Sequence, residues 1–534
     1  MNSDLKEPTP KVSLAQQDVP ATWLFIGLAG IFLWRIIFSG AFNLIPDECS
    51  YWTWSRRLDW SYFDNSGMAA YLIRLSTSLF GVSTPFSVRF PFLILSGLTT
   101  YLVYRVSFVL FNNRSRALLS ALVINLMPLA FLGASAAMHD NALIYFWMAA
   151  LWASVRFLKS ENPRWFYLIG AATGLAIQSK YTGVLLLPGL LMFLLWSRPH
   201  RDRLATKEPW IGVLIAILFV LPIVWWNYRH DWASFHHILF IGTGPTSVAK
   251  RIMDGLGYHL AQFLVVSPLF YFAIVFAWIS GLTRGPSGPR PETILLTCFG
   301  FPLIFFGIMA LLGHVEANWA FMGYPSIVIL AVQEIGSKQV ARQQSGLWRI
   351  FTPRYLKWAV AVALGPMLLV IVHAWIGILP VSIEKRLGKA DRVIWETHGW
   401  DGLGKHVAAL KHEGDVIAGD SYQLAALLEF NVTGNPYVRY LAPWKRPTQF
   451  DVWEPSFDNL KGRNILFVSP RPLRPPSAFS ATVYNNFERV ETLPAYQVVY
   501  HGDGIREIHL YRGHNFNPFS RFRLGPRSLF YRDY

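Results

Sequence analysis

The sequence predicts a mainly α-helical, polytopic membrane bundle of about eleven transmembrane helices, followed by a smaller C-terminal α/β domain outside the membrane. Composition is the first observation behind this. Of 534 residues, 53% are apolar and only 15% charged, with a mean hydropathy of +0.31; a soluble chain carries about 25% charged residues. The second is that the apolar excess falls before about residue 380, in runs long enough to cross a bilayer. The third is that beyond this point apolar stretches shorten and sit between Pro, Gly and Asn clusters. A purely soluble enzyme is excluded. The formal charge of +16 would suggest nucleic acid in a soluble protein, but here Lys and Arg lie mainly in short loops, where they set topology.

About 20 apolar residues span the hydrocarbon core. On that criterion the spans are 22–44, 90–111, 117–137, 141–158, 166–179, 182–196, 209–227, 258–282, 292–313, 319–335 and 356–379. No small-residue cleavage pattern follows the first, so it reads as a retained anchor behind a segment 1–21. Alternate loops carry the basic residues: Arg114 and Arg116; Lys159 and Arg164; Arg198, Arg201, Arg203 and Lys207; Arg284 and Arg290; then Lys338, Arg342, Arg349, Arg354 and Lys357. These loops read as cytoplasmic, which puts the N-terminus inside and everything after about residue 380 outside. Two outer loops, 45–89 and 228–257, are long and rich in Trp, Tyr, Asp, Arg and His. Cys49 lies in the first of these and Cys298 in an apolar run, so no intramolecular disulfide is expected.

The bundle is expected over 22–379 and the soluble domain over 380–534. Strand-like runs at Asn464–Val468 and Tyr496–Tyr500, and helical segments at Asp401–Leu410 and Tyr422–Glu429, make that domain mixed. Its tail interleaves Arg521, Arg523, Arg527 and Arg532 with Phe516, Phe519, Phe522, Phe530 and Tyr531. Such a tail suits an anionic membrane surface or packing on its own domain.

Polar residues near the bilayer carry the functional signal. Asp47 and Glu48 follow the first span directly, as a base with its partner or as the acidic start of a helix. Asp64 closes an aromatic stretch from Leu58, a composition shared by sugar sites and interfacial belts. His139-Asp140 opens the fourth span. Lys180-Tyr181 sits between two apolar runs on the outer side, against the positive-inside trend. A phosphate there would supply its counter-charge, and a lysine snorkelling to the interface is the alternative. Arg229 and Arg251 are placed to supplement Lys180. Asn227, Glu316 and Asn318 add polar groups at outer span ends, Asn318 equally as a helix cap. His230, Asp231, His236 and His237 suit either a metal or a hydrogen-bonded cluster. No metal-ligand motif is recognisable, and none is assigned.

The shared order of several segments is more specific than any one of them. These are Asp47-Glu48 before Tyr51-Trp52-Thr53-Trp54-Ser55; Leu58-Asp59-Trp60-Ser61-Tyr62-Phe63-Asp64; Ser179-Lys180-Tyr181-Thr182-Gly183; Trp226-Asn227 before His230-Asp231-Trp232; Asn318-Trp319; Asp420-Ser421-Tyr422; and Gln449-Phe450-Asp451-Val452-Trp453. Together they resemble the lipid-linked sugar transferases of the membrane-embedded C-type superfamily, particularly the branch of aminoarabinose transferases and rhizobial lipopolysaccharide galacturonosyltransferases. That resemblance implies the C-type glycosyltransferase fold. It also implies transfer of a sugar, such as a hexuronic acid or amino sugar, from a polyprenyl phosphate at the periplasmic face of the bacterial inner membrane, with inversion. The acceptor would be lipid A, core oligosaccharide or another envelope glycan. By the same resemblance Asp47 is the catalytic carboxylate, Glu48 its partner and Lys180 a ligand of the donor phosphate; Asp64, Asp140, Tyr181, Asn227, Glu316 and Asn318 are expected at the substrates. No cofactor is implied, and a divalent ion stays open. The chain departs from related branches at Asn65-Ser66-Gly67, which lacks their basic element, and at Met138-His139-Asp140, where Thr-Pro-Asp is common. A protein O-mannosyltransferase is the rival enzyme. A lipid or sugar transporter is the rival of another class, and no paired inverted halves support it.

Overall fold

The computed structural model describes residues 20–243, 248–283, 289–340, 350–378, 392–441, 447–473 and 483–518. Residues 1–19, Arg284, Arg342, Arg349 and the tail aromatic and basic residues from Phe519 to Arg532 lie outside the described residues.

The helical part opens with α1 (Ala21–Ala41), α2 (Pro46–Arg56), α3 (Met68–Phe80), α4 (Pro85–Phe111), α5 (Arg114–Leu126), α6 (Pro128–Gly133), α7 (His139–Ser160) and α8 (Trp165–Ser179). It continues with α9 (Leu186–Trp196), α10 (Lys207–Arg229), α11 (Ala233–Thr243), α12 (Val248–Val266), α13 (Pro268–Leu282), α14 (Pro291–Phe299), α15 (Phe301–Met309), α16 (Tyr324–Val340) and α17 (Pro353–Ile376). Among the described residues seven helices are long and apolar enough to cross a membrane, or up to nine if each of two bent pairs counts as one span. The expectation of eleven also counted shorter apolar segments, and the structure shows why they are short. Lys180 leaves the helix in an extended conformation after α8, and the 3-10 turn Tyr181–Leu185 intervenes before α9. The expected span 117–137 breaks at Met127, where Pro128 starts α6. The expected span 258–282 bends by 104° at Ser267, a non-glycine residue at φ 81° before Pro268.

Lipid leaves little hydrophobic drive between helices, so close association rests on small residues. Helices α8 and α10 illustrate this: a Cβ on Gly170 would lie 2.0 Å from the Gly212 carbonyl oxygen, and one on Gly174 would lie 2.9 Å from that of Ala216. The outer face of α10 leaves Trp210, Leu214, Leu218 and Leu221 exposed, as a lipid-facing surface requires.

After the bundle come α18 (Arg392–Thr397), α19 (Trp400–Leu410), β1 (Val416–Gly419), α20 (Tyr422–Asn431), β2 (Arg439–Tyr440), α21 (Gln449–Trp453), β3 (Ile465–Ser469), β4 (Arg489–Tyr500) and β5 (Asp503–His514). The five-stranded sheet has the order β2-β1-β3-β5-β4, with β2, β1 and β3 parallel and β5 antiparallel to both neighbours. Arg506 packs against two neighbouring indoles, its guanidinium 3.9 Å from the Trp400 ring and 4.2 Å from that of Trp395.

The sheet domain docks on the bundle through α2. Glu429, fully buried on α20, takes Arg56 at 2.8 Å and Arg57 at 3.4 Å. Both guanidiniums lie against the Tyr437 ring, and Trp52 meets Phe430 edge-on at 4.9 Å. A second contact comes from Tyr500, whose hydroxyl donates to the Ala374 carbonyl at 3.0 Å.

Candidate active site

Pro46 sits at the start of α2, where its fixed φ suits a helix and its missing N–H costs nothing. Asp47 and Glu48 follow in the first turn, about 100° apart around the axis, so they point different ways. Glu48 is fully buried. Its Oε1 accepts from Arg89 Nε at 2.8 Å and from the Ala137 N–H at 2.8 Å; its Oε2 accepts from Arg89 Nη2 at 2.6 Å and the Ile45 N–H at 3.0 Å. Arg89 donates further to the carbonyls of Phe42 and Asn43, both at 2.8 Å. One ion pair thus ties the α1–α2 turn, α4 and the segment before α7 together. Asp47 is half-buried and sits one helical turn before Tyr51.

Tyr51 gathers the site. Burial first, then the fields of Asp47, Asp140, Tyr422 and Asp64, hold its phenol well above the usual range, so it stays an O–H donor. Its oxygen is 2.7 Å from His139 Nδ1. His139 Nε2 is 3.2 Å from Asp140 Oδ2, and Asp140 Oδ1 accepts from Lys180 Nζ at 2.8 Å. Lys180 is 7% exposed, and its ammonium also lies 5.9 Å from the Trp319 ring centre. Extended backbone at Lys180 turns the side chain out of the α8 line towards α7. Gly183 permits this fold-back, because a Cβ there would lie 2.4 Å from the Ala176 carbonyl carbon.

A second group lies beside Lys180. Tyr181 bonds the Ser61 hydroxyl at 3.1 Å and has Ser234, Asn227 and Asp64 as neighbours. The buried Asn227 accepts from the Ser234 N–H at 3.1 Å and donates to the Ile223 carbonyl at 3.0 Å. Asp64 Oδ1 is 3.5 Å from His237 Nε2. The sheet domain closes over this group: the Phe63 N–H donates to Gln449 Oε1 at 2.7 Å, and Val452 packs on Phe63, Trp226 and Ala233. Burial, with Asp64 adding to it, pushes the Asp451 carboxyl up to about 6, against hydrogen bonds from Thr448.

Of the residues singled out in the sequence, Asp47, Asp64, Asp140, Lys180, Tyr181 and Asn227 fall in this linked region. Arg229 is exposed and lies over Trp225 at 5.8 Å, while Arg251 is half-buried on α12. Glu316 is 60% exposed and pairs with His314 at 3.0 Å; Asn318 is half-buried, one residue before Trp319 in a 3-10 turn. The histidines diverge: His230 bonds the Trp226 carbonyl at 2.8 Å, His237 faces Asp64, and His236 is exposed. Among the described residues no three metal-ligating side chains converge. Sequence reasoning passed over Arg89, Glu429 and His139 as a bridging group, and noted Gln449 only as part of a motif and not as a contact to Phe63. An arginine flanking an apolar run reads as a topology signal, and only its position opposite an acidic pair in the same outer loop hinted otherwise.

A family model described as dolichyl-phosphate-mannose-protein mannosyltransferase matches residues 64–226. The lipid A galacturonosyltransferase RgtD of Rhizobium johnstonii is 26% identical over 442 residues, covering 79% of this chain and 85% of that protein. An undecaprenyl phosphate-alpha-4-amino-4-deoxy-L-arabinose arabinosyl transferase from Serratia proteamaculans is 27% identical over 318 residues, 53% of this chain and 52% of that protein. The chain thus matches about half the length of this aminoarabinose relative. In fold, the chain is similar to ArnT from Cupriavidus metallidurans, solved bound to undecaprenyl phosphate, with a TM-score of 0.58 at 17% identity over 92% of this chain and 98% of that one. The paired carboxylates at the head of α2, the lysine after α8 and the docked sheet domain thus stand in a chain that is similar in sequence to these lipid-linked sugar transferases and in fold to ArnT.

Proposed function

We propose that the protein transfers a sugar from a polyprenyl-phosphate donor to lipid A, lipopolysaccharide core or another envelope glycan, at the periplasmic face of the inner membrane. The carrying observation is the placement of Lys180, a nearly buried ammonium held by Asp140 and linked through His139 and Tyr51 to the helix that bears Asp47. In this reading the acceptor hydroxyl attacks the anomeric carbon, Asp47 takes its proton, and the polyprenyl phosphate leaves with the bonding electrons from the opposite face. Configuration inverts and no covalent enzyme intermediate forms. Lys180 stabilises the charge developing on the leaving phosphate, an effect strong in a site largely closed to water. Glu48, occupied by four donors, fixes the direction of α2 and so of Asp47. Asp64, Tyr181 and Asn227 face the substrates, while Arg229, Arg251, Glu316 and Asn318 contribute at the rim.

The alternation of basic loops supports a cytoplasmic N-terminus and a periplasmic sheet domain. Reporter fusions after residue 378 and before residue 20 test that orientation. The reaction is tested by mass spectrometry of lipid A and core oligosaccharide from cells lacking the gene, complemented with wild type, Asp47→Asn or Lys180→Met. Loss of one sugar that only wild type restores supports the reading. An unchanged glycan profile with altered protein glycosylation would move the acceptor to protein, the acceptor class named in the matching family model.

A further inference from the structure

Two arginines end α2, and both turn to one carboxylate. Arg56 donates to Glu429 Oε1 at 2.8 Å, while Arg57 reaches Oε2 only at 3.4 Å. Glu429 is fully buried, whereas the two arginine side chains stay 21% and 18% exposed. Aromatic rings hold both guanidiniums in place: Arg56 lies 5.0 Å from the Trp52 ring centre and 4.5 Å from that of Tyr437, and Arg57 lies 4.2 Å from Tyr437 and 4.4 Å from Trp453.

One carboxylate neutralises one of these two charges. The third arginine of the seam, Arg439, has its own partner in Glu454, and burial, then the Arg57 and Arg463 charges, keeps its guanidinium below the usual range. Arg56, Arg57 and Arg439 set against Glu429 and Glu454 leave positive charge in surplus. A guanidinium carries five N–H donors, and among the described residues the long contact to Glu429 is the only hydrogen bond that the Arg57 guanidinium makes. A guanidinium fixed on rings, with its N–H edge open, is preorganised for two-pronged binding of a phosphate or carboxylate.

The seam adjoins the candidate site. The Arg57 carbonyl accepts from the Tyr62 hydroxyl at 3.2 Å, and the residue after Tyr62, Phe63, donates its N–H to Gln449 at 2.7 Å. Gln449 and Trp453 are the two ends of α21, so Arg57, packed on Trp453, stands about 6 Å along that helix from the contact beside Asp64. From Asp47 to Arg56, α2 rises about 14 Å, within the reach of a short oligosaccharide. Lys180 already takes the donor phosphate in the reading above, from the side of α7 and α8. An anion at Arg57 then belongs to the acceptor.

We propose that Arg57 binds a phosphate or carboxylate of the acceptor glycan and thereby sets which acceptor hydroxyl meets Asp47. Arg56, with the shorter bond, holds the joint to the sheet domain. The inference rests on the reading that the acceptor is an envelope glycolipid.

The test uses the full-length protein in detergent, with the polyprenyl-phosphate-sugar fraction of cells lacking the gene as donor and lipopolysaccharide from the same cells as acceptor. The acceptor is offered intact, with its phosphates removed by hydrogen fluoride, or with its carboxylates amidated. Arg57→Gln is expected to raise the acceptor KM about tenfold, the scale of one hydrogen bond to a charged group, and to leave the donor KM within about twofold. On the wild type at least one treatment should raise the acceptor KM by a similar factor, which identifies the anion; on Arg57→Gln that treatment should change it by less than about twofold. This loss of discrimination is read within one variant, so a loosened seam does not produce it. If Arg57→Gln does not accumulate, Arg57→Met, whose chain still packs on the rings, carries the same comparison. An unchanged acceptor KM, a raised donor KM in its place, a wild type insensitive to both treatments, or a variant as sensitive as the wild type each overturns the proposal. Wild-type transfer that Arg57→Gln leaves intact removes only the role of Arg57, whereas no transfer by the wild type to the glycolipid removes the acceptor reading as well.

Discussion

Glu48 and Arg89 meet through two hydrogen bonds of 2.8 and 2.6 Å, with neither side chain exposed beyond 1%. The pair joins the start of α2 to α4, and its neighbour Asp47 inherits a fixed direction. Breaking a buried pair leaves one charge uncompensated, which costs about 3–5 kcal/mol. Glu48→Gln is therefore expected to lower membrane abundance and melting temperature. Asp47→Asn should melt as wild type does while losing transfer by at least about 100-fold, the lower range for removal of a general base. Comparing the two variants for melting and for product formation checks both; equal melting of Glu48→Gln and wild type would remove the clamp role.

The two other cations near the site should matter less than Lys180. Arg229 is exposed against Trp225, where solvent screens its charge. Lys180→Met is expected to raise donor KM by about 10- to 100-fold, and Arg229→Gln by no more than about twofold. Kinetics at two salt concentrations check the ranking, since the Arg229 effect should fade as salt rises.

Asp451 gives the docking seam a pH dependence with a definite sign. Its carboxyl sits at about 6 in the folded protein against 3.8 for an unperturbed aspartate, so the folded chain holds the proton more tightly. The resulting stabilisation is complete below 3.8 and is lost as pH rises through about 6. Between pH 5 and 7.5 the loss is about 1–1.5 kcal/mol. Asp451→Asn should flatten that part of the stability curve, measured by denaturation at the two pH values; an unchanged difference would show that another group sets it.

Gly183 is the tightest constraint at the Lys180 turn. An added Cβ would sit 2.4 Å from the Ala176 carbonyl carbon and 2.6 Å from its oxygen, and backbone cannot move aside as a side chain can. Gly183→Ala should shift the Lys180 turn, cutting transfer at least about tenfold, since small misplacements of positioned groups are costly. Gly30, with nothing near its Cβ position, serves as the control and should tolerate alanine within about 0.5 kcal/mol.

The membrane class and the sheet domain were legible because both rest on long-range composition. Helices expected at 401–410 and 422–429 run Trp400–Leu410 and Tyr422–Asn431, and the strand expected at 464–468 runs Ile465–Ser469. Lys180 stands out in the sequence for a similar reason: a lone lysine between two apolar runs contradicts the charge trend around it. The span boundaries were not legible, since hydropathy averages over the breaks at Met127, Lys180 and Ser267, where one backbone conformation ends a helix without changing the apolar content. Nor does adjacency in sequence distinguish Asp47 from Glu48. Their difference comes from Arg89, 41 residues on, and only the packing of α4 against α1 and α2 brings it there. His139 was hidden likewise, because its hydrogen-bond partner Tyr51 comes from α2, 88 residues away in sequence.

Helix α2 belongs to two structures at once. Its first turn is riveted to α4 through Glu48, while its last turn gives Arg56 and Arg57 to Glu429 of the sheet domain. For anyone building chimaeras, the natural crossover near residue 380 is then the wrong cut. A sheet domain grafted from a relative would meet a foreign α2, and the graft must travel with the 45–66 segment and with Arg89 to keep both joints matched. The same two joints bind any lineage in which the sheet domain diverges, so change in that domain and change at the head of α2 should be inherited together.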